Sequence, residues 1–302
     1  MQSIKVKSVG EMLSALEKLQ FQFGHSPKGS GFLFRGHQDS SYALLPGVYR
    51  QFSKDQQARL AHGSISGKVY TANENEILAH FRKEASGILS FVDRNDDFTW
   101  LQYAQHYGVP TRLLDFSSNP LVALYFCCKG EKACDGAIWV LNSYAYQRWM
   151  FKDAFCTENE PEITTTMIQQ SIIKSMNGFI EYGAERVEMR RPLLFVPAYI
   201  DQRMSAQSSR FLLWGADERP LDMQISSSEE MNLSSEGIAF SIVDDTRFLS
   251  KIIIPDLCKH DILRSLELMN VAEKTVFPGL DGIGRYIEQY YRNNPDDSCR
   301  FL

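Results

Sequence analysis

Residues 105–126, QHYGVPTRLLDFSSNPLVALYF, constrain the fold more than any other stretch of the chain. Gly108 ends a helix read over Asp97 to Gly108, and Pro110 prevents its resumption. Leu113 to Phe116 leaves room for a short strand only. Asn119-Pro120 then opens a new helix, because proline suits the first helical position. The same stretch crowds His106, Thr111, Arg112, Asp115, Ser117, Ser118 and Asn119 together. A core helix has no use for that set. Leu113, Leu114 and Phe116 pin it to the interior, so the polar atoms are expected to wall a cleft.

Around this stretch the pattern alternates between helix and strand. Ser8 to Leu19 has helical spacing behind a serine that can cap it. FLFRG is a short apolar strand ending in Arg35 and Gly36. Ser53 to Ala72 reads as a polar connection. From Asn73, residues Ile77, Phe81, Ile88 and Phe91 recur at three- and four-residue steps, the mark of a helix with one wet face. Trp100, Leu101, Ala104 and Tyr107 share one side of the following helix. GAIWVLN and LSKIIIP are strands, and RPLLFVPAYID and SSRFLLWG are strand-like, joined by the polar piece QRMSAQ. Glu162 to Ile180 is predicted helical, and Ser226 to Ser235 is predicted to be an exposed loop. Asp256 opens an amphipathic helix, and a last helix follows VFPG. No repeat or linker is visible. The expectation is one α+β domain over 1–302, a central mixed or antiparallel sheet with flanking helices, carrying N-terminal helical and C-terminal strand–helix additions.

Composition narrows the function. Apolar residues make up 44% of the 302 residues, enough for a sizeable core. The formal net charge of -5 disfavours sequence-independent binding to nucleic acid. No apolar run approaches the roughly 20 residues that span a bilayer, so no membrane association is expected. The six cysteines form no CxxC pair, and no His/Cys cluster has metal-ligand spacing. A reduced, cytoplasmic setting without a metal is the expectation. GxSxG, HExxH, Walker and GxGxxG motifs are absent.

Three constellations carry chemistry. Arg35 ends a strand and offers a planar, charged fork to a phosphate or carboxylate, with Gly36 allowing close approach. A structural ion pair is the plainer alternative. In the central stretch, Arg112 and Asp115 can pair with each other, and Ser117 can cap the Pro120 helix, whose first amides would suit an anion. His106 is equally readable as a packed histidine. Arg203 and Gln207, in DQRMSAQSSRFLLWG, precede a strand, and Gln207 brings both a donor and an acceptor.

Together FLFRGHQDSSYALLPGVYR, WLQYAQHYGVPTRLLDFSSNPLVALYF, QRMSAQSSRF and the tail KIIIPDLCKHDILRSLELMNVAEKTVFPGLDGI resemble the FRG domain family over most of the chain. FRG followed by FSSNPLVALYF is also similar, more weakly, to mono-ADP-ribosyltransferases of the Arg–Ser–Glu type. That resemblance implies an ADP-ribosyltransferase-like fold and NAD, or a related nucleotide, as substrate. Arg35 would hold the pyrophosphate and Ser117 and Ser118 would position the nicotinamide ribose, with Gly36, Thr111 and Asn119 grouped with them as candidate nucleotide-binding residues. From the residues themselves, His106, Arg112, Asp115 and Gln207 are the candidate catalytic set. The chain departs from the pattern in having Ser-Ser-Asn in the middle motif and Gln207 where a strand glutamate is expected. The resemblance implies a toxin or defence effector with a nucleic-acid or protein target and an antitoxin or immunity partner. The competing readings are a non-catalytic nucleotide- or phosphate-binding module, and a nucleic-acid-processing enzyme using His106 as acid or base.

Overall fold

The computed structural model describes residues 3–22, 31–50, 74–130, 133–151, 179–182, 185–188, 191–197, 199–215, 217–225 and 248–293. Its strands are Ser3–Lys5 (β1), Phe32–His37 (β2), Leu113–Ser117 (β3), Gly136–Asn142 (β4), Phe179–Tyr182 (β5), Glu185–Glu188 (β6), Leu193–Phe195 (β7), Ser209–Leu213 (β8) and Leu249–Ile254 (β9). Its α-helices are Val9–Gln22 (α1), Glu74–Ala85 (α2), Asp97–His106 (α3), Pro120–Cys128 (α4), Ser143–Phe151 (α5), Gln202–Ala206 (α6), Lys259–Leu268 (α7), Glu273–Val276 (α8) and Leu280–Asn293 (α9).

Seven strands make one sheet in the order β1-β9-β4-β2-β3-β8-β7, and β5-β6 is a separate hairpin. Within the large sheet β1 and β9 run parallel and the other neighbours antiparallel. The fold is therefore α+β with a mixed, mostly antiparallel sheet. β4 is an interior strand, between β9 and β2, and GAIWVLN is buried at every position, as a strand covered on both faces must be. Side chains alternate between the two faces. Leu33, Trp139 and Leu141 join a core with Trp100 and Leu101 of α3 and Tyr146 and Trp149 of α5. Phe32, Phe34, Ile138, Val140 and Ile252 join a second core with Met12 of α1, Leu124 of α4 and Ile262 of α7. No helix of the described residues is long and apolar enough to cross a membrane.

One seam in this sheet is weak. β2 pairs with β4 through six residue pairs and β3 pairs with β8 through five, yet β2 meets β3 only at Phe34 and Ser117. The sheet opens beyond that pair, and the cleft described below occupies the opening.

Several expectations need adjustment. The helix from Asn73 stops at Ala85, where Ser86-Gly87 follow, and Ile88 and Phe91 are exposed rather than on a buried face. Tyr107 is likewise exposed. QRMSAQ, read as a polar link, forms α6, whose N-cap Asp201 accepts from the Met204 amide at 3.0 Å. A 3-10 turn, Asp256–Cys258, precedes α7. The readings of Ser53 to Ala72 and Ser226 to Ser235 lie outside the described residues, as does most of Glu162 to Ile180, whose last two residues begin β5.

Gly36 has a packing role. A Cβ there would meet the Ala123 carbonyl oxygen at 1.9 Å, so β2 and α4 approach through the missing side chain. The close approach is thus protein on protein. Gly36→Ala is expected to destabilise the chain by about 1–3 kcal/mol, the usual range for overpacking. Urea unfolding against the parent measures this, and an unchanged midpoint would contradict it.

Candidate functional site

The cleft at the β2–β3 seam encloses ≈ 210 Å³. Phe34, Arg35 and Gly36 come from β2, Asp115 to Ser117 from β3, and Gln105 and His106 from the end of α3. Val122, Ala123 and Phe126 of α4 form one wall, and Arg203, Met204, Gln207, Ser209 and Phe211 another. Six residues expected from the sequence therefore meet here: Arg35, Gly36, His106, Asp115, Ser117 and Gln207.

Arg35 bridges the open seam. Its Nη1 donates to the Asp115 carbonyl at 2.5 Å, supplying a bond that the missing strand pairing would have made. Its Nε donates to His37 Nε2 at 3.0 Å. Nη2 has no hydrogen-bond partner among the described residues. The Asp115 carboxylate lies 3.8 Å from Nη1, beyond hydrogen-bond length. Burial, then the Arg50 charge, lower the Arg35 pKa to about 9, with Asp115 opposing. The guanidinium remains charged at neutral pH.

His37, which follows Arg35 on the same face of β2, fixes that fork. Its Nδ1 lies 3.3 Å from the Tyr42 carbonyl, so Nδ1 carries the proton and Nε2 accepts from Arg35. Burial, then Arg35 and Arg50, drive its pKa down to about 2, so the ring stays neutral.

Asp115 is held by Gln105, whose Nε2 donates to Oδ2 at 2.6 Å. Gln105 Oε1 in turn accepts from Thr111 Oγ1 at 2.7 Å. His106 Nε2 contacts the Asp201 carboxylate. Burial nevertheless lowers the His106 pKa, outweighing Asp201, so the imidazole is neutral at pH 7 and donates Nε2–H. Arg203 donates to the His106 carbonyl at 3.4 Å and stacks on Phe277 at 4.7 Å.

The other expected residues do different work. Ser117 Oγ donates to the Gln207 carbonyl at 2.7 Å and accepts from the Asn119 amide at 2.9 Å. Asn119 caps α4, its Oδ1 accepting from the Leu121 amide at 2.9 Å. Ser118 bonds through its amide to the Ser208 carbonyl at 3.0 Å. Arg112 pairs with Glu74, not with Asp115, and Glu74 also takes the Arg112 amide at 2.7 Å. Thr111, Arg112, Ser118 and Asn119 do not line the cleft. The Gln207 amide donates to the Val276 carbonyl at 3.1 Å. Among the described residues no group of three His, Cys, Asp or Glu is placed to hold a metal ion.

Sequence reasoning missed Gln105 and His37 and gave Arg203 no role. His37 had a usable signal, its two-residue spacing from Arg35. Gln105 had only its place beside His106 at a helix end.

Residues 30–136 match the family model of the FRG domain. The chain carries an FRG domain over those residues, which supply β2, β3 and α2 to α4. No curated protein and no solved structure matches the chain.

The neutral state of His37 links folding to pH. The unfolded histidine protonates near 6.5 and the folded one only near 2, so the unfolded state binds more protons between those values. Stability is full above about pH 6.5 and falls as pH is lowered, by up to about 1.4 kcal/mol per pH unit from this one group. His37→Gln, which keeps an acceptor for Arg35 but does not titrate, is expected to flatten that slope. Urea unfolding between pH 7 and 5 checks it, and equal slopes for both chains would contradict it.

Proposed function

Proceeding from an FRG domain with this cleft, we propose that the chain binds a nucleotide through its phosphates and acts on it as an ADP-ribosyltransferase-like enzyme, with NAD or a related nucleotide as substrate. The observation that carries the reading is the pair of guanidiniums, Arg35 and Arg203, on one cleft whose apolar walls include Phe34, Val122, Phe126 and Phe211. Guanidiniums bind phosphate oxygens as planar forks, and apolar walls suit a ring or a ribose face. The volume, ≈ 210 Å³, is below the about 300–1,000 Å³ of sites that engulf a drug-sized ligand. Part of a dinucleotide would be enclosed, the remainder lying outside.

The reaction has residues to serve it. The bond from ribose C1′ to nicotinamide breaks and its electron pair leaves with nicotinamide. Positive charge then develops on the ribose, where a fixed negative charge stabilises it most. Asp115 is the one carboxylate among the lining residues. It takes the part expected of a strand glutamate, since the Gln207 amide is engaged by Val276. An acceptor oxygen adds to C1′ and gives its proton to His106 Nδ1, while Asp201 holds the Nε2–H. Water as acceptor makes the enzyme an NAD hydrolase. A protein or nucleic-acid acceptor gives the toxin or defence role, and a need for an immunity partner.

A binding module that does no chemistry is the second reading, and the Gln105 bond to Asp115 favours it, because it weakens the carboxylate's field. Calorimetric titration with NAD and ADP-ribose separates these cases. Arg203→Ala is a cleaner probe than an Arg35 variant, because Arg35 also ties β3 to β2. Loss of a charged hydrogen-bonding group should weaken ADP-ribose binding about 10- to 100-fold. Asp115→Asn should keep that affinity and lose product formation from NAD. Unweakened binding by Arg203→Ala would contradict the phosphate role. Tight binding by the parent with no nicotinamide released would leave the binding module.

A further inference from the structure

We propose that Phe277 is a positioning residue for the cleft, holding the Arg203 guanidinium in place without neutralising it; this rests on the nucleotide-binding reading above. Phe277 lies far outside the 30–136 match, yet it touches two cleft residues. Its ring is 4.7 Å from Arg203 Cζ, and its edge-on contact with Phe126 has centroids 5.7 Å apart. The adjoining Val276 carbonyl takes the Gln207 amide at 3.1 Å. The segment thus fixes residues at both ends of α6.

Two other cations share that ring, Lys129 Nζ at 4.5 Å and Arg285 Cζ at 5.4 Å. Three cations about one aromatic ring would repel each other. Glu273, 3% exposed, removes the problem for two of them. Its carboxylate accepts from Lys129 at 2.5 Å and from Arg285 at 2.6 Å, and also from the Tyr125 hydroxyl. Arg203 is the cation of the three with no carboxylate partner among the described residues. A carboxylate would have fixed this guanidinium equally well and cancelled its charge. An aromatic face fixes it through the ring quadrupole and leaves the charge for an anionic ligand.

α8 is built to present this ring. The Ala272 amide donates to Thr275 Oγ1 at 2.9 Å, and Thr275 Oγ1 donates to the Asn270 carbonyl at 2.8 Å, closing the turn before Phe277. The anchor of the segment, Glu273, and its functional face, Phe277, are thus separate residues. A substitution at Phe277 leaves the Glu273 bonds in place.

The test compares Phe277→Leu and Phe277→Trp in the full chain, with two readouts. The first is ADP-ribose affinity by calorimetry. The second, made without nucleotide, is the rate at which phenylglyoxal modifies Arg203, followed by peptide mass spectrometry. Phe277→Leu is expected to bind ADP-ribose about three- to tenfold more weakly and to expose Arg203 to faster modification. Phe277→Trp, which keeps an aromatic face, is expected to restore both. If the leucine variant does not fold, Phe277→Met supplies the same apolar bulk and is read the same way. Parent-like affinity and parent-like modification in a folded leucine or methionine variant would overturn the inference, as would failure of tryptophan to rescue. A parent chain that binds neither NAD nor ADP-ribose would sink the nucleotide reading, and the modification rates would still decide the role of Phe277.

Discussion

A single residue pair, Phe34 with Ser117, is the whole ladder pairing between β2 and β3, and the rest of the site depends on that economy. A fully paired seam would leave no opening between α3, α4 and α6. With one pair the strands separate, and backbone groups along β3 lose their partners. The Asp115 carbonyl recovers one from Arg35. Ser117, paired with both Phe34 and Ser209, adds a side-chain bond to the Gln207 carbonyl. Gly36, by letting β2 settle against Ala123, sets how close the α4 wall lies. The opening is therefore braced on each side by side chains instead of by the sheet ladder.

Several arginines have a carboxylate within hydrogen-bond reach. Arg82, Arg112, Arg219, Arg285 and Arg292 are ion-paired with Asp97, Glu74, Asp217, Glu273 and Glu288. Such pairs order helices and loops and offer little charge to a ligand. Arg35 and Arg203 are held chiefly by neutral groups: a carbonyl and a neutral imidazole for one, a carbonyl and a phenyl ring for the other. Both line the same cleft. In a chain of formal net charge -5, this placement localises positive potential where a phosphate would enter.

Local order was largely readable from the sequence, because it is set by neighbours along the chain. Gly108, at φ 79°, ends α3 as its residue type suggests, and Asn119-Pro120 starts α4. The short apolar run in FLFRG and the apolar run GAIWVLN marked β2 and β4. The polar cluster was harder to read, because its members differ in where their hydrogen bonds go. Ser117 is satisfied by a carbonyl ninety residues away, and Arg112 by Glu74 at the start of α2. Neither partner is marked by any spacing. Arg203 gains its place from Phe277, which sits beyond two intervening strands and helices and carries no local motif. Residues whose bonds go to distant partners are the ones whose surroundings a linear reading leaves open.

The most direct measurement is backbone hydrogen exchange of the full chain with and without saturating ADP-ribose, resolved by peptide. A ligand seated in the open seam should slow exchange in β2, in β3 and at α6, since all three border it. Protection confined to those segments would support the account. Protection elsewhere with none at β2 and β3, in a chain that binds ADP-ribose, would contradict it.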